Sequence, residues 1–369
     1  MMRRSVKHEP APRYTGEESP LPAPDGWFCL GLSTQIKPGT VATRRLAGQE
    51  LVVYRTRSGL LRVTRAYCPH LGAHLGAGGT VEGDDIVCPF HRFAFAPDGT
   101  CVRTGYGMRP PKIRLTDLPV CESDGLIMVW HHHAGEPPSW HIPVRPFSGH
   151  CLPVASLLEF PGHPQEVTEN FFDTGHIQTL HNRWIARAEA PAQSENGPSA
   201  HITLRMHFRL PVLGLRRTED YEVDLHGLGY AVVDIALPGG IAIRNWITTT
   251  LTDSWRVHLR LVSSARIPAP ALLPAPIGRL FSAALSRLLA RFVLWLHTEQ
   301  FVRAAQGDLR IWRSKEYLSR PRLAEGDGKI TRFRRWAAQF YPGIPAKKAD
   351  RFEAVSLAGG SPAAERVTR

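Results

Sequence analysis

At 369 residues the chain is long enough for two domains of ordinary size, each with its own core. Its formal charge of +12 raises the question of nucleic acid. However, the basic residues are scattered, with modest clusters such as Arg216-Arg217 and Arg332-Phe-Arg334-Arg335, and no recognition motif accompanies them, so a nucleic-acid partner is set aside. A basic surface that docks an acidic protein or rests near anionic lipid accounts for the charge, as would a generally basic proteome.

The first 25 residues are polar, charged and proline-rich, without the apolar core of a signal peptide, and read as a disordered arm. From Gly26 to about Trp130, short apolar runs are broken by Gly and polar pairs, the pattern of a small antiparallel β domain. Glu50 to Arg65 holds Leu51-Val-Val-Tyr54, a turn at Arg57-Ser-Gly59 and Leu60-Leu-Arg-Val63, a hairpin that runs into Cys68-Pro-His70. Ile86-Val87 likewise feeds Cys88-Pro-Phe-His91, and Phe93 to Gly99 ends in the turn Pro97-Asp-Gly99. Two Cys and two His can hold a [2Fe-2S] centre of the Rieske type, with the Cys on one iron and the His on the other.

Structural zinc is the rival for the same four residues. Zinc fingers usually space like with like, whereas each motif here carries one Cys and one His, as two loops clamping a two-metal cluster require. Gly72, Gly76, Gly78 and Gly79, with Pro69 and Pro89, let both loops approach a cofactor closely. The other cysteines, Cys29, Cys101, Cys121 and Cys151, show no close pairing, which suits a reducing cytoplasm.

After a closing strand at Ile127-Met-Val-Trp130, the run His131-His-His133 reads as a surface strand cap rather than a metal site, and Gly135 to Pro153 as an interdomain link. Ile202–Phe208, Asp220–Leu225, Tyr230–Leu237, Ile241–Thr249 and Trp255–Val262 alternate apolar and polar residues and predict a twisted antiparallel sheet. Prolines break the pattern between Ile267 and Pro276. Ile277 to Ala305 then has the helical period, with Leu280, Phe281, Leu285, Leu288, Leu289, Phe292 and Leu296 sharing a broad face that is expected to pack on the sheet. Arg287 and Arg291 make this stretch a poor membrane span. The tail after about Ala346 reads as loosely ordered.

Between the two regions lies Glu169-Asn170-Phe-Phe-Asp173-Thr-Gly-His176-Ile-Gln-Thr-Leu-His181. Two His and one carboxylate with open positions form the facial triad of non-haem Fe(II) oxygenases, and an irregular helix turn can bring His176 and His181 to one metal. Alone the pair is weak evidence; beside the Cys-His loops it is not.

In this combination and order, the chain resembles the oxygenase component of a Rieske non-haem iron oxygenase. The region Gln306-Gly-Asp308-Leu-Arg-Ile-Trp312, and further on Asp327-Gly328, Arg334-Arg-Trp336 and Gln339-Phe-Tyr341, is similar to the 3-ketosteroid 9α-hydroxylase branch, and the cluster loops to the cholesterol 7-desaturases. Respiratory Rieske proteins carry an extra Cys in each loop, where this chain has Ala73 and Phe90; Arg92-Phe93-Ala94 departs from the Gly-Trp or Asp-Trp of the relatives.

The resemblance implies an α+β chain: arm 1–25, an all-β Rieske domain 26–145, a helix-grip-type catalytic domain 146–345 and a tail 346–369. It implies a [2Fe-2S] cluster on Cys68, His70, Cys88 and His91, and a mononuclear Fe(II) on His176, His181 and Asp308, with helical Glu299 as the competing third ligand. Asn170 belongs to the motif, and Asp173 takes the role of a bridge between that iron and the cluster of a neighbouring subunit. A homotrimer follows, with NAD(P)H acting indirectly through a separate ferredoxin or flavin reductase and O2 as oxidant. The expected substrate is an apolar steroid or sterol, collected through some peripheral membrane contact, with another apolar or aromatic molecule as the alternative. A Rieske electron-transfer protein without oxygenase activity would have no need of His176 and His181.

Overall fold

The computed structural model describes residues 19–342 except 146–150, 152, 182–184, 190–191, 210–215, 269–276, 326 and 328. The expected tail, the first eighteen residues of the arm and most of the proline-rich break lie outside the described residues.

Ten short strands form the first part: β1 (Gly26–Leu32), β2 (Val41–Leu46), β3 (Gln49–Arg55), β4 (Leu61–Arg65), β5 (Thr80–Glu82), β6 (Asp85–Val87), β7 (Ala94–Phe95), β8 (Cys101–Arg103), β9 (Val120–Ser123) and β10 (Leu126–His131). They pair antiparallel into three small sheets, β1-β10-β9, β2-β3-β4 and β5-β6-β7-β8. The expected hairpin is β3–β4. Its turn closes because Thr56 accepts the backbone N–H of Leu60 on its hydroxyl at 2.9 Å and Gly59 takes φ +99°, a left-handed conformation that glycine adopts without strain. Alternation along β3 and β4 buries Leu51, Val53, Leu61 and Val63 in one core and Val52 and Tyr54 in another, the second lying under the cluster loops.

The second part is an antiparallel sheet of eight strands: β11 (Val154–Pro161), β12 (Ile185–Ala188), β13 (Ala192–Asn196), β14 (Ser199–Arg209), β15 (Arg216–His226), β16 (Tyr230–Leu237), β17 (Ile241–Asp253) and β18 (Arg256–Arg266). Their order is β11-β18-β17-β16-β15-β14-β12, with β13 also on β14. Four helices accompany it: α1 (Pro164–Glu169), α2 (Thr174–Leu180), α3 (Ile277–Trp312) and α4 (Ile330–Ala337). The architecture is the expected α+β one, two antiparallel β regions with few helices. β14 to β18 correspond to the five strands read from alternation, while β11, β12 and β13 were not foreseen. Trp27, Trp130, Tyr230 and Trp246 share one core between the two parts. There Asp124 accepts the Tyr230 hydroxyl and the Trp246 indole N–H, each at 3.0 Å.

One expectation is corrected. Leu288, Leu289, Phe292 and Leu296 do not pack on the sheet; they are exposed, together with Trp295. The helix instead buries Ala290, Leu294, Thr298, Ala305, Leu309 and Trp312, spaced by three, four or seven residues, and Trp312 stacks on Phe160 at 5.2 Å. Between 288 and 296 the helix is apolar on two sides, and the bulkier side attracts the eye while the smaller residues allow the close approach. Residues 19–25 also depart from a loose arm: Leu21 is buried, the Ser19 hydroxyl donates to Ser254 O, and Asp25 Oδ2 meets His133 Nδ1 at 2.7 Å.

His163 caps α1, accepting the backbone N–H of Gln165 at 3.2 Å, with its other ring nitrogen 3.1 Å from Pro22 O. Full burial pulls its pKa down to about 3, outweighing that second contact. The unfolded chain therefore takes up a proton near pH 6.5 that the folded one refuses, so stability present above that pH is lost as the pH falls toward 3. Between pH 7 and 5 this one histidine is expected to cost about 2 kcal/mol. Denaturant titrations at both pH values check it: His163→Gln should flatten the pH dependence, and an unchanged difference would refute the assignment.

Candidate metal centres

The two Cys-His loops are built alike. In the first, Cys68 N–H donates to Ala73 O at 2.8 Å and Gly72 N–H returns to Cys68 O at 2.9 Å; in the second, Cys88 N–H donates to Phe93 O at 2.9 Å and Arg92 N–H to Cys88 O at 3.2 Å. The fifth residue of each is left-handed, Gly72 at φ +74° and Arg92 at φ +56°. Cys68 and Cys88 are buried at the base and the imidazoles stand at the tip, His70 and His91 with centroids 5.0 Å apart. His70 stacks on Phe93 at 4.1 Å. His91 Nδ1 is buried without a hydrogen-bond partner, as expected of a nitrogen whose partner is a metal. Burial pushes the Cys68 thiol up to about 11, and the neighbouring Cys88 adds to this against the backbone N–H of His70. Such a thiol needs a cation beside it to ionise. All six cysteines are free.

Arg92 is the departure noted in the sequence, and the structure gives it a backbone cost. A non-glycine residue in the left-handed region is strained by about 1 kcal/mol, and the Arg92 guanidinium reaches Glu82, which also holds Arg103 at 2.7 Å. Arg92→Gly is expected to leave the cluster's absorption intact and to change stability by less than about 1 kcal/mol, as relieved strain offsets a surface ion pair. Thermal unfolding of the cluster-loaded protein tests it; bleaching would show that the side chain itself supports the cluster.

The second centre draws on two distant segments. Asp173 is the N-cap of α2, its carboxylate accepting the backbone N–H of His176 at 3.1 Å. His176 sits in the first turn and His181 at the C-cap, with ring centroids 5.5 Å apart. Asp308, near the end of α3, lies across from them with Oδ1 3.2 Å from His181 Nε2. Donor atoms of His176, His181 and Asp308 all fall within 4.8 Å of one another. His176 Nδ1 and Asp308 Oδ1 are buried with no hydrogen bond. Two imidazoles and one carboxylate that converge, with His176 Nδ1 and Asp308 Oδ1 buried and unsatisfied, fit a divalent iron with open positions. Asp173 Oδ2 is 3.6 Å from His176 Nδ1. Burial raises its pKa, but the nearby His176 imidazole and the His176 backbone N–H outweigh this and hold the carboxyl below its usual value.

Asn170 ends α1, and among the described residues its side chain makes no hydrogen bond. Glu299 points to solvent beside Arg303, 3.8 Å away, and is not among the converging groups. Sequence reasoning missed a buried ion pair: Arg334 grips Glu169 in a fork at 2.6 and 3.0 Å, both side chains nearly buried, tying α4 to the end of α1. It also missed that His132 and His133 converge on Asp25, because these residues lie over a hundred positions apart.

Against known proteins, residues 26–112 match the Rieske [2Fe-2S] domain, and residues 290–341 match the 3-ketosteroid 9α-hydroxylase C-terminal domain. The cholesterol 7-desaturase of Bombyx mori is 30% identical over 350 residues, covering 92% of this chain and 74% of that protein. The chain belongs to the Rieske oxygenases. Its similarity extends to a probable 3-ketosteroid-9-alpha-monooxygenase oxygenase component of Rhodococcus rhodochrous, 27% identical over 89% of this chain and 83% of that protein. In fold it is similar to NdmA of Pseudomonas putida CBB5, with TM-score 0.62 and 14% identity over 84% of this chain and 88% of the other. Dicamba monooxygenase gives TM-score 0.57 and 19% identity over 90% and 98%. This Rieske oxygenase is an iron-dependent oxidoreductase whose cofactors are a [2Fe-2S] cluster and a mononuclear iron, with electrons supplied by a separate protein. Among the described residues, no helix is long and apolar enough to cross a membrane.

Proposed function

We propose that this oxygenase oxidises a steroid or sterol, with Cys68, His70, Cys88 and His91 holding the cluster and His176, His181 and Asp308 holding the catalytic iron. The observation that carries the site assignment is the convergence of those last three side chains within 4.8 Å, two of them with buried, unsatisfied donor atoms. When bound, the metals supply single-electron storage and O2 activation. The chain's own part is to hold the donors in place. Asp173 fixes the start of α2 and lies beside the His176 ring, which helps hold that ring in place. The burial around Asp308 keeps water from competing for its carboxylate. The steroid assignment rests on the relatives, a cholesterol 7-desaturase and a 3-ketosteroid monooxygenase component.

Leu71, next to His70, and Phe90 and Tyr106, with ring centroids 3.7 and 5.8 Å from that of His91, lie exposed beside the imidazole tips. Such an apolar rim supports coverage by another protein, either the reductase or a neighbouring copy in a homotrimer whose iron faces this cluster through Asp173. Exposed Leu288, Phe292 and Trp295 on α3 support peripheral contact with a lipid surface. The four cysteines outside the cluster, none in a disulfide, support a reducing, cytoplasmic setting. The domains run 26–145 and 146–345 in this reading.

Mass spectrometry of products tests the function: iron-loaded protein, a reductase system, NAD(P)H and O2 with a panel of sterols and 3-ketosteroids. Gain of one oxygen atom is expected for a hydroxylase and loss of two hydrogens for a desaturase. Normal reduction of the cluster without any product would turn the search to other apolar substrates.

A further inference from the structure

A cleft of about 610 Å³ opens between β1 and β2 on one side and β11, β17 and β18 on the other. None of the proposed metal ligands lines it. Arg44 and Arg260 meet there. Arg44 Nε donates to Leu30 O at 3.0 Å and Arg260 Nη2 to the same oxygen at 3.4 Å, so the two cations are neighbours. Their only other hydrogen bonds among the described residues also go to carbonyls, Arg44 Nη1 to Thr43 O at 2.8 Å and Arg260 Nη1 to Cys29 O at 2.9 Å. A guanidinium carries five N–H donors, so most on each remain unspent.

The carboxylates of the cleft are engaged by side chains other than Arg44 and Arg260. Asp253 holds Arg45 at 3.2 Å and Glu159 holds Arg256 at 2.9 Å, with His258 3.4 Å from Glu159. Glu50 accepts the Tyr67 hydroxyl at 2.9 Å and faces His74 at 3.6 Å. Arg44 and Arg260 are thus two adjacent positive charges, one 9% exposed, with no anion of the described residues between them. Burial first, and the charge of Arg260 second, lower the pKa of Arg44. Neighbouring buried cations are costly unless a counter-charge joins them, and paired guanidinium forks match the oxygens of a phosphate group.

We propose that this cleft binds a phosphate-class oxyanion between the guanidinium groups of Arg44 and Arg260. The space exceeds that of inorganic phosphate, so the ligand is either the free anion or the phosphate group of a small ester.

Calorimetric titration of the cluster- and iron-loaded protein with inorganic phosphate, at constant ionic strength, tests the site. Saturable binding is expected, weakened about tenfold or more in Arg44→Gln and in Arg260→Gln, with the cluster's absorption unchanged as a control for folding. Glycerol phosphate distinguishes the sources: tighter binding than phosphate identifies an ester ligand, and equal binding the free anion. Absence of saturable binding to the wild type, or undiminished binding by Arg44→Gln, would overturn the proposal. Should Arg260→Gln not fold, because Arg260 is buried whereas Arg44 is only half-buried, Arg44→Gln decides alone.

Discussion

Asp308→Ala is expected to abolish product formation and to reduce iron content to that of the cluster alone, while the cluster's visible spectrum stays intact. Asp308 Oδ1 is buried, makes no hydrogen bond and lies 3.2 Å from His181 Nε2. Loss of a residue that only orients a metal ligand costs about 10- to 100-fold, so loss of the carboxylate ligand itself should exceed that. The stability readout separates this from a structural role. A buried, unsatisfied carboxylate destabilises the metal-free fold, so Asp308→Ala should leave the metal-free protein as stable as the parent or more so. His176→Ala should share the loss of turnover and iron, and Glu299→Ala, on the solvent side of α3, should share neither. Retained turnover in Asp308→Ala, or a bleached cluster, would sink the assignment.

The legibility of these sites in the sequence follows from how local each one is. Both cluster loops can be read because ligands, glycines and feeding strands lie within a few residues of one another. His176 and His181 lie on one short helix, with Asp173 three residues ahead. Asp308 could be proposed only by resemblance, since it reaches the pair from a helix more than a hundred residues on, and no spacing rule covers that. The same limit explains β11, whose alternation is weak and whose strand status comes from pairing with β18, Val154 opposite Ser263 through Pro161 opposite Arg256. On α3 the sequence is apolar on two sides, and only the sheet's position decides which one is buried. The Arg44–Arg260 pair is likewise invisible, because each arginine reads as an ordinary strand charge until two sheets meet.

Gly79→Ala is expected to prevent stable cluster assembly although Gly79 touches neither Cys nor His. A methyl group there would meet Leu75 O at 2.1 Å, Leu75 C at 3.1 Å and Val87 O at 3.2 Å. All three are backbone atoms, so no side-chain rotation relieves the clash. Leu75 N–H is bonded to Ala66 O at 2.8 Å at the stem of the first loop, and Val87 leads directly into Cys88. The added carbon therefore forces apart the stems that set the distance between the two Cys-His pairs. Overpacking of this kind costs about 1–3 kcal/mol in an ordinary core, and more where backbone must move and a metal geometry is lost with it. Gly72→Asn is the informative contrast. Gly72 is left-handed with nothing within 4 Å of its missing Cβ, and Arg92 occupies the same place in the twin loop. That substitution should cost about 1 kcal/mol or less and keep the cluster. Iron and sulfide content with visible absorption reads both variants; a normal cluster in Gly79→Ala would mean the stems can part without disturbing the ligands.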